Sequence, residues 1–408
     1  MKNVVFVAPY LMEATERFIL AAATTSESRL GLVSCDPEEK LPPHIRQRLA
    51  GHYRVPNIEL ESLQHGVTAM AKHLGSVDRL LGMLEQIQEP LGAIRDRMGI
   101  PGISQQVAHR FRDKAEMKSV FRQRHIPCAA YQLVDSVAAG MAFSEHHGFP
   151  LVVKPPDGAG SKATYRCENT AQLAECLNSL QPGTQRPVLL EQFIQGREHS
   201  FDSVTINGQV VWHSISHYSP GPLEVMREPW IQWCVMIPRE VSLPQYHQIE
   251  QIAGPALRAL GLGTALTHME WFLQPDGTAV ISEVAARPPG AQFTTLLSYA
   301  HNLDFYRAWA RLMIHDHFQP PARPFAVGAA YLRGMGHGKV AKVHGLQAVA
   351  RELGELIVEA KIPQLGQSPT GHYEGEGYVV IRHPETRVVE EALHRIVTSV
   401  RVELSAVG

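Results

Sequence analysis

The segment Thr267-His-Met-Glu-Trp-Phe-Leu273, then Gln-Pro-Asp-Gly, then Thr278-Ala-Val-Ile-Ser-Glu-Val-Ala-Ala-Arg287, constrains this chain more than any other. Two β-rich runs flank a Pro-Asp-Gly turn signal, the mark of a hairpin. With Asp276-Gly277 as a two-residue turn, residues whose numbers sum to 553 face each other, and Glu270 lies opposite Glu283 on one face. Carboxylates so placed repel each other unless a positive charge sits between them. Paired hard oxygen ligands suit Mg²⁺ when phosphates complete its shell, so the hairpin reads as a metal–nucleotide site. A three-residue turn starting at Pro275 would slip the register by one and separate the glutamates onto opposite faces. An amphipathic hairpin with solvated glutamates is the competing reading.

At 408 residues the chain is too long for one core and should divide into two to four domains. Hydrophobic content of 44% with 19% charged residues is ordinary for a soluble globular protein. A net charge of −2 offers no electrostatic reason to expect nucleic acid or a membrane surface as partner. Cys35, Cys128, Cys167, Cys176 and Cys234 are scattered, odd in number and never spaced C-x-x-C. They point to reduced thiols in a cytoplasmic protein, neither a disulfide frame nor a zinc site. The opening Met1–Ala8 run is too short for a signal-peptide core, and no apolar stretch reaches transmembrane length.

The chain opens as α/β: strand Val4–Ala8, helix Glu13–Ala23, strand Leu30–Cys35, without a G-x-G-x-x-G turn. Residues 60–98 read as helix-rich, and Val107–Arg124 as one helical stretch containing Arg112-Asp113-Lys114. Beyond Ile126-Pro127 an α+β unit runs to about Gln195, with strand Leu151–Lys154, a glycine-bearing loop at 157–163, helix Thr170–Leu180 and strand Val188–Glu191. Strands at 198–206 and 209–217 are joined by Asn207-Gly208, a strong hairpin turn. Residues 218–240 read as a loose cover, 245–260 as a helix ended by Gly261, and 325–408 as a further mixture of strands and helices.

Lys154 ends an apolar strand and is followed by Pro-Pro-Asp-Gly-Ala-Gly-Ser-Lys, a fixed positive charge beside a loop rich in free N–H groups. Both suit a polyphosphate, although this is not the Walker pattern. Between Glu191 and Ile194 the backbone could offer alternating N–H and C=O groups to an adenine edge, and Glu198 could accept from ribose hydroxyls. Taken singly, each of these has a bland counterpart: a surface loop, solvated strand ends, and for Lys114 a solvated helix lysine. His315-Asp-His317 and His146-His147 read as solvated helix ends.

In order and spacing, Lys114, Lys154 with its glycine loop, Glu191 to Glu198, Glu270, Glu283 and Arg287 resemble the ATP-grasp superfamily over residues 100–310, with the amino-acid-joining carboxylate–amine ligases as the nearest branch. The resemblance implies an ATP-grasp fold at 111–325 with a lid at about 127–195, preceded by an α/β domain at 1–110 and followed by a small α+β domain at 326–408. It implies ATP, with Mg²⁺ or Mn²⁺, and small-molecule carboxylate and amine substrates; a homodimer is compatible with it. Lys114 and Lys154 would hold phosphates, with Gly160 and Ser161 in the loop that closes over them. Gln192 and Ile194 would meet adenine, flanked by Glu191, and Glu198 would hold ribose. Glu270 and Glu283 would bridge the metal, and Arg287 would steady an acyl phosphate. One departure stands out: the family's E-x-N-x-R appears here as Glu283-Val-Ala-Ala-Arg287, so Ala285 cannot ligate. His268, opposite Ala285 in the two-residue-turn register, or water would fill that vacancy; a packed core histidine is the alternative.

Overall fold

The computed structural model describes residues 1–158, 163–228 and 232–405. Its N-terminal strands Lys2–Val7, Ser28–Ser34, Gly51–Arg54 and Arg79–Leu81 form a parallel sheet in the order third, second, first, fourth. Val4 and Phe6 pack with Phe18 of the helix Glu13–Ala23, while Val5 and Val7 pack with Leu63 and Val67 of the helix Leu60–Leu74. A strand covered on both faces is therefore apolar at successive positions, which is why it reads as a continuous run.

An eight-stranded antiparallel sheet forms the middle of the molecule. Its order is Ala279–Ala285, Ala265–Leu273, Arg197–Ile206, Gln209–Ser219, Trp233–Ile237, Ala326–Leu332, Gly377–His383 and Ile357–Lys361. The last three strands belong to the C-terminal part of the chain, so this sheet runs across position 325. Asn207 and Gly208 both take positive φ, 49° and 78°, as a tight hairpin turn requires. A four-stranded antiparallel sheet, Tyr131–Val134, Val188–Gln192, Leu151–Lys154 and Tyr165–Cys167, packs with helices Val137–His147 and Thr170–Leu180. A three-stranded sheet near the C-terminus packs with the helix Thr386–Ser399.

Residues 60–98 are helix-rich as expected, with helices Leu60–Leu74 and Gln88–Met98 and the short strand Arg79–Leu81 between them. Two other expectations need correction. The stretch 107–124 is two helices, Gln105–Arg112 and Lys114–Gln123, because Asp113 takes an extended conformation and caps the second by accepting from the Glu116 N–H. The supposed loose cover contains the helix Pro222–Arg227 and a fully buried strand, Trp233–Ile237, whose apolar side chains serve cores on both faces. Residues 229–231 of that cover lie outside the described part.

The glutamate hairpin is built differently from the two-residue-turn expectation, yet it reaches the same pairing. Near the turn Leu273 pairs Ala279, and Gln274 N–H donates to Thr278, which leaves Pro275-Asp276-Gly277 as a three-residue turn. A β-bulge at Ser282 then adds one residue to the second strand, and Glu270 pairs Glu283 with His268 opposite Ala285. The bulge has two anchors: Ile281 N–H donates to Pro127 O at 2.9 Å, and Lys118 Nζ donates to Ser282 O at 3.0 Å. Among the described residues no helix is long and apolar enough to cross a membrane.

Candidate active site

Lys114, Lys154, Glu191, Gln192, Ile194, Glu198, His268, Glu270, Glu283 and Arg287 all line one cavity between the four-stranded and eight-stranded sheets. Gly160 and Ser161 lie outside the described residues. Side chains on one face of a strand recur every second residue, so His268, Glu270 and Phe272 face the cavity together. The neighbouring strand sets Asp202, Ser200 and Glu198 beside them in register.

The lysine wall is a buried charge network. Glu191 Oε2 lies 2.9 Å from Lys154 Nζ, and its Oε1 lies 3.3 Å from Lys118 Nζ. Burial opposes charge on Glu191, but the two lysines outweigh it and hold its carboxyl below the usual range. Burial likewise opposes the Lys154 charge, and Glu191 reverses the effect. Lys118 is wholly buried. It was readable only as a residue four positions from Lys114 on the same helix face. Lys114 Nζ lies 3.1 Å from Glu283 Oε2 and donates to Gly158 O at 2.6 Å, tying the strand Ala279–Ala285 to the loop after Lys154.

At the end of the strand Val188–Gln192, Gln192 N–H donates to Ala130 O and Phe193 N–H to Pro150 O. The Ile194 N–H has no such partner among the described residues. Glu198 is raised well above the usual carboxyl value, first by burial and then by Glu270 and Glu283. Against Lys114 and Lys154, Glu283 is held at about 2 despite burial. Glu270 and Glu283 stand opposed as two hard oxygen ligands, but among the described residues no group of three or more His, Cys, Asp or Glu is arranged to hold a metal ion, so a divalent cation here would need oxygens from a bound phosphate to complete its shell.

His268, which stands opposite Ala285, is engaged at both ring nitrogens. Its Nδ1 lies 2.6 Å from Asp202 Oδ1, and its Nε2 lies 3.2 Å from the Tyr218 hydroxyl and 3.7 Å from Glu270 Oε1. Burial would lower its pKa, but Asp202 and then Glu270 raise it to about 10. Asp202 also accepts from Ser200 Oγ at 2.7 Å. Arg287 forms an ion pair with Glu85, a residue of the N-terminal part that no motif or spacing singles out. Burial disfavours the guanidinium charge and Glu85 more than restores it. Tyr373, from the C-terminal part, completes the lining, and its phenol is pushed up to about 12 by burial and nearby carboxylates. His315 sits at a helix end with Nε2 3.1 Å from Ser26 O, apart from the cavity lining.

This constellation of two lysines, opposed glutamates and an arginine between a lid sheet and a central sheet is that of a nucleotide-binding grasp, and residues 119–301 match the family model of the ATP-grasp domain. The chain therefore carries an ATP-grasp domain over that span. It is 22% identical over 248 residues to the L-arginine-specific L-amino acid ligase of Bacillus subtilis, a match covering 59% of each chain. The crystal structure of an L-amino acid ligase from Bacillus licheniformis superposes with a TM-score of 0.79 at 18% identity, over 99% of both chains. N5-carboxyaminoimidazole ribonucleotide synthetase from Thermotoga maritima follows at 0.72 and 16%, over 99% of this chain and all of that one. At such identities the two structural likenesses speak for the fold.

Proposed function

We propose that this ATP-dependent ligase joins the carboxylate of one amino acid to the amine of another, through an acyl phosphate, releasing ADP and phosphate. The observation that carries the reading is the convergence of Lys114, Lys154, Glu270, Glu283 and Arg287 on one cavity. A carboxylate oxygen attacks the terminal phosphorus of ATP as the bond to ADP breaks. The amine nitrogen then attacks the acyl carbon, the C–N bond forms, phosphate departs and the nitrogen gives up a proton. Each step gathers negative oxygens, which fixed positive charge must offset.

Lys154, pinned by Glu191, and Lys114, leaning on Glu283, supply that charge on the phosphate side. Arg287, aimed by Glu85, supplies it at the acyl phosphate. Ile194 N–H and the Gln192 carbonyl hold adenine, and Glu198 holds ribose. Glu270 and Glu283 would hold Mg²⁺ or Mn²⁺, which when bound screens the phosphate oxygens. With Asp202 and Tyr218 at its two nitrogens, His268 orders the face beside Glu270.

A second reading keeps the acyl-phosphate chemistry but uses formate or bicarbonate, and the likeness to the carboxyaminoimidazole ribonucleotide synthetase fold favours it. The test is ADP and phosphate release with ATP and Mg²⁺ against pairs of amino acids and simple carboxylates. Equal release that needs two amino acids, with a product at their condensed mass, supports amide ligation. Release driven by bicarbonate or formate selects the second reading. ATP binding without release under any mixture supports a nucleotide-binding protein without turnover, for which Ala285 is the motivating residue.

A further inference from the structure

One wall of the cavity has no part in holding phosphate or metal. Tyr218, Trp233, Phe293 and Tyr373 line it, with Leu223. Their rings lie close together: Trp233 to Tyr373 4.7 Å, Trp233 to Tyr218 5.9 Å and Tyr218 to Phe293 6.2 Å between centroids. Trp233 is also fixed from behind by stacking on Tyr331 at 4.8 Å. The Tyr218 hydroxyl is engaged with His268. The Trp233 indole Nε1, in contrast, is buried and has no hydrogen-bond partner among the described residues. Buried indole N–H groups ordinarily find an acceptor, because an unmade bond there is costly. Trp233 lines the cavity, so a molecule seated there can supply the acceptor that the described residues do not.

The cations that share the cavity are matched elsewhere: Lys114 with Glu283, Lys154 with Glu191, Arg287 with Glu85 and His268 with Asp202, while the carboxylates Glu198 and Glu270 are those the reading above assigns to ribose and metal. A carboxylate side chain seated against the rings would lose its water and meet no unmatched cation, and a cationic one would have to draw Glu198 or Glu270 from those roles. An apolar one would gain contact area. We propose, resting on the amino-acid ligase reading above, that one of the two substrates is an amino acid with an apolar side chain held against Tyr218, Trp233, Phe293 and Tyr373, and that the Trp233 indole N–H donates to an oxygen of that substrate.

The experiment uses the full chain in two arms. In the first, ADP release is measured with ATP, Mg²⁺ and a fixed partner amino acid while the second is varied through leucine, methionine, phenylalanine, valine, alanine, aspartate and arginine. The apolar series leads, kcat/KM falls about tenfold or more for each methylene removed, and the charged members fall at the bottom. Trp233→Phe keeps the ring and removes the donor, raising KM for the apolar substrate about ten- to a hundredfold. Phe293→Leu, checked for an unchanged thermal midpoint, widens the wall and shifts preference toward larger side chains.

In the second arm, the same amino acids are titrated calorimetrically in the presence of Mg²⁺ and a non-hydrolysable ATP analogue. Preference for arginine, aspartate or glycine in either arm overturns the proposal, as does Trp233→Phe leaving KM unmoved. Apolar binding in the second arm without ADP release in the first sustains the pocket while refuting the ligase reading. Absence of both refutes the pocket.

Discussion

Replacing Lys118 with methionine tests the buried charge network with little change in volume. The side chain is wholly buried, and its Nζ serves Glu191 Oε1 at 3.3 Å and Ser282 O at 3.0 Å. Methionine fills the space with a flexible apolar chain, so the loss is electrostatic. The Ser282 carbonyl loses its donor, and Glu191 Oε1, which has no hydrogen bond among the described residues, loses its ion-pair partner; each change costs about 1–3 kcal/mol. Glu191 keeps Lys154 at 2.9 Å, which holds the total below the upper end of what breaking a buried pair costs. The expected destabilisation is about 2–4 kcal/mol. Urea unfolding followed by tryptophan fluorescence measures it. Because Glu191→Gln removes the charge that Lys118 answers, the double variant Lys118→Met with Glu191→Gln should lose less than the sum of the singles. A single-variant loss below about 1 kcal/mol, or strict additivity, would refute the account of Lys118 as part of one coupled network.

Glu85→Gln removes the charge that aims Arg287; kcat for ADP release should fall about ten- to a hundredfold while the KM for ATP barely moves. Asp202→Asn should bring the His268 pKa down from about 10, read by NMR titration of the ring, since Asp202 is the largest factor raising it. Stability should also depend on His301, a buried ring whose pKa is lowered to about 4, chiefly by burial. Its unfolded value near 6.5 means the unfolded chain binds a proton that the folded one refuses between those values. Its contribution is thus complete above about pH 6.5 and lost as pH falls toward 4, about 2 kcal/mol between pH 7 and 5. Urea midpoints at the two pH values should differ less in His301→Gln; equal differences would contradict the assignment.

The elements that came through cleanly in the sequence are those whose cause is local. The helix Thr170–Leu180 and the strand Leu151–Lys154 have the expected bounds. The Asn207-Gly208 turn followed from backbone preference alone. The glutamate pairing was expected from a two-residue turn that does not form; it stands because the three-residue turn is offset by the bulge at Ser282, which was not legible. Lys118 was not legible either, since in sequence it looks like any solvated helix lysine, and only the fold seals it under Glu191. Glu85 and Tyr373 were equally hidden, because they reach the cavity from the first and last parts of the chain. The strand Trp233–Ile237 was masked by the prolines and polar residues on either side of it. His268 was recognised as cavity-facing, but its Asp202 partner comes from a strand 66 positions away.

The bulge at Ser282 has a consequence for how the chain tolerates change. Side chains along a strand have only two phases, so inserting or losing one residue in a turn inverts everything beyond it. Here an odd-length turn and a single extra strand residue cancel before the inversion reaches Glu283. Shortening the exposed turn by one residue can be absorbed by straightening the strand at Ser282, with the two carboxylates still opposed. What would be given up is the bent-out carbonyl that Lys118 grips. The opposed glutamate pair is buffered against drift in loop length, and the change would be felt first in the helix that carries Lys114 and Lys118.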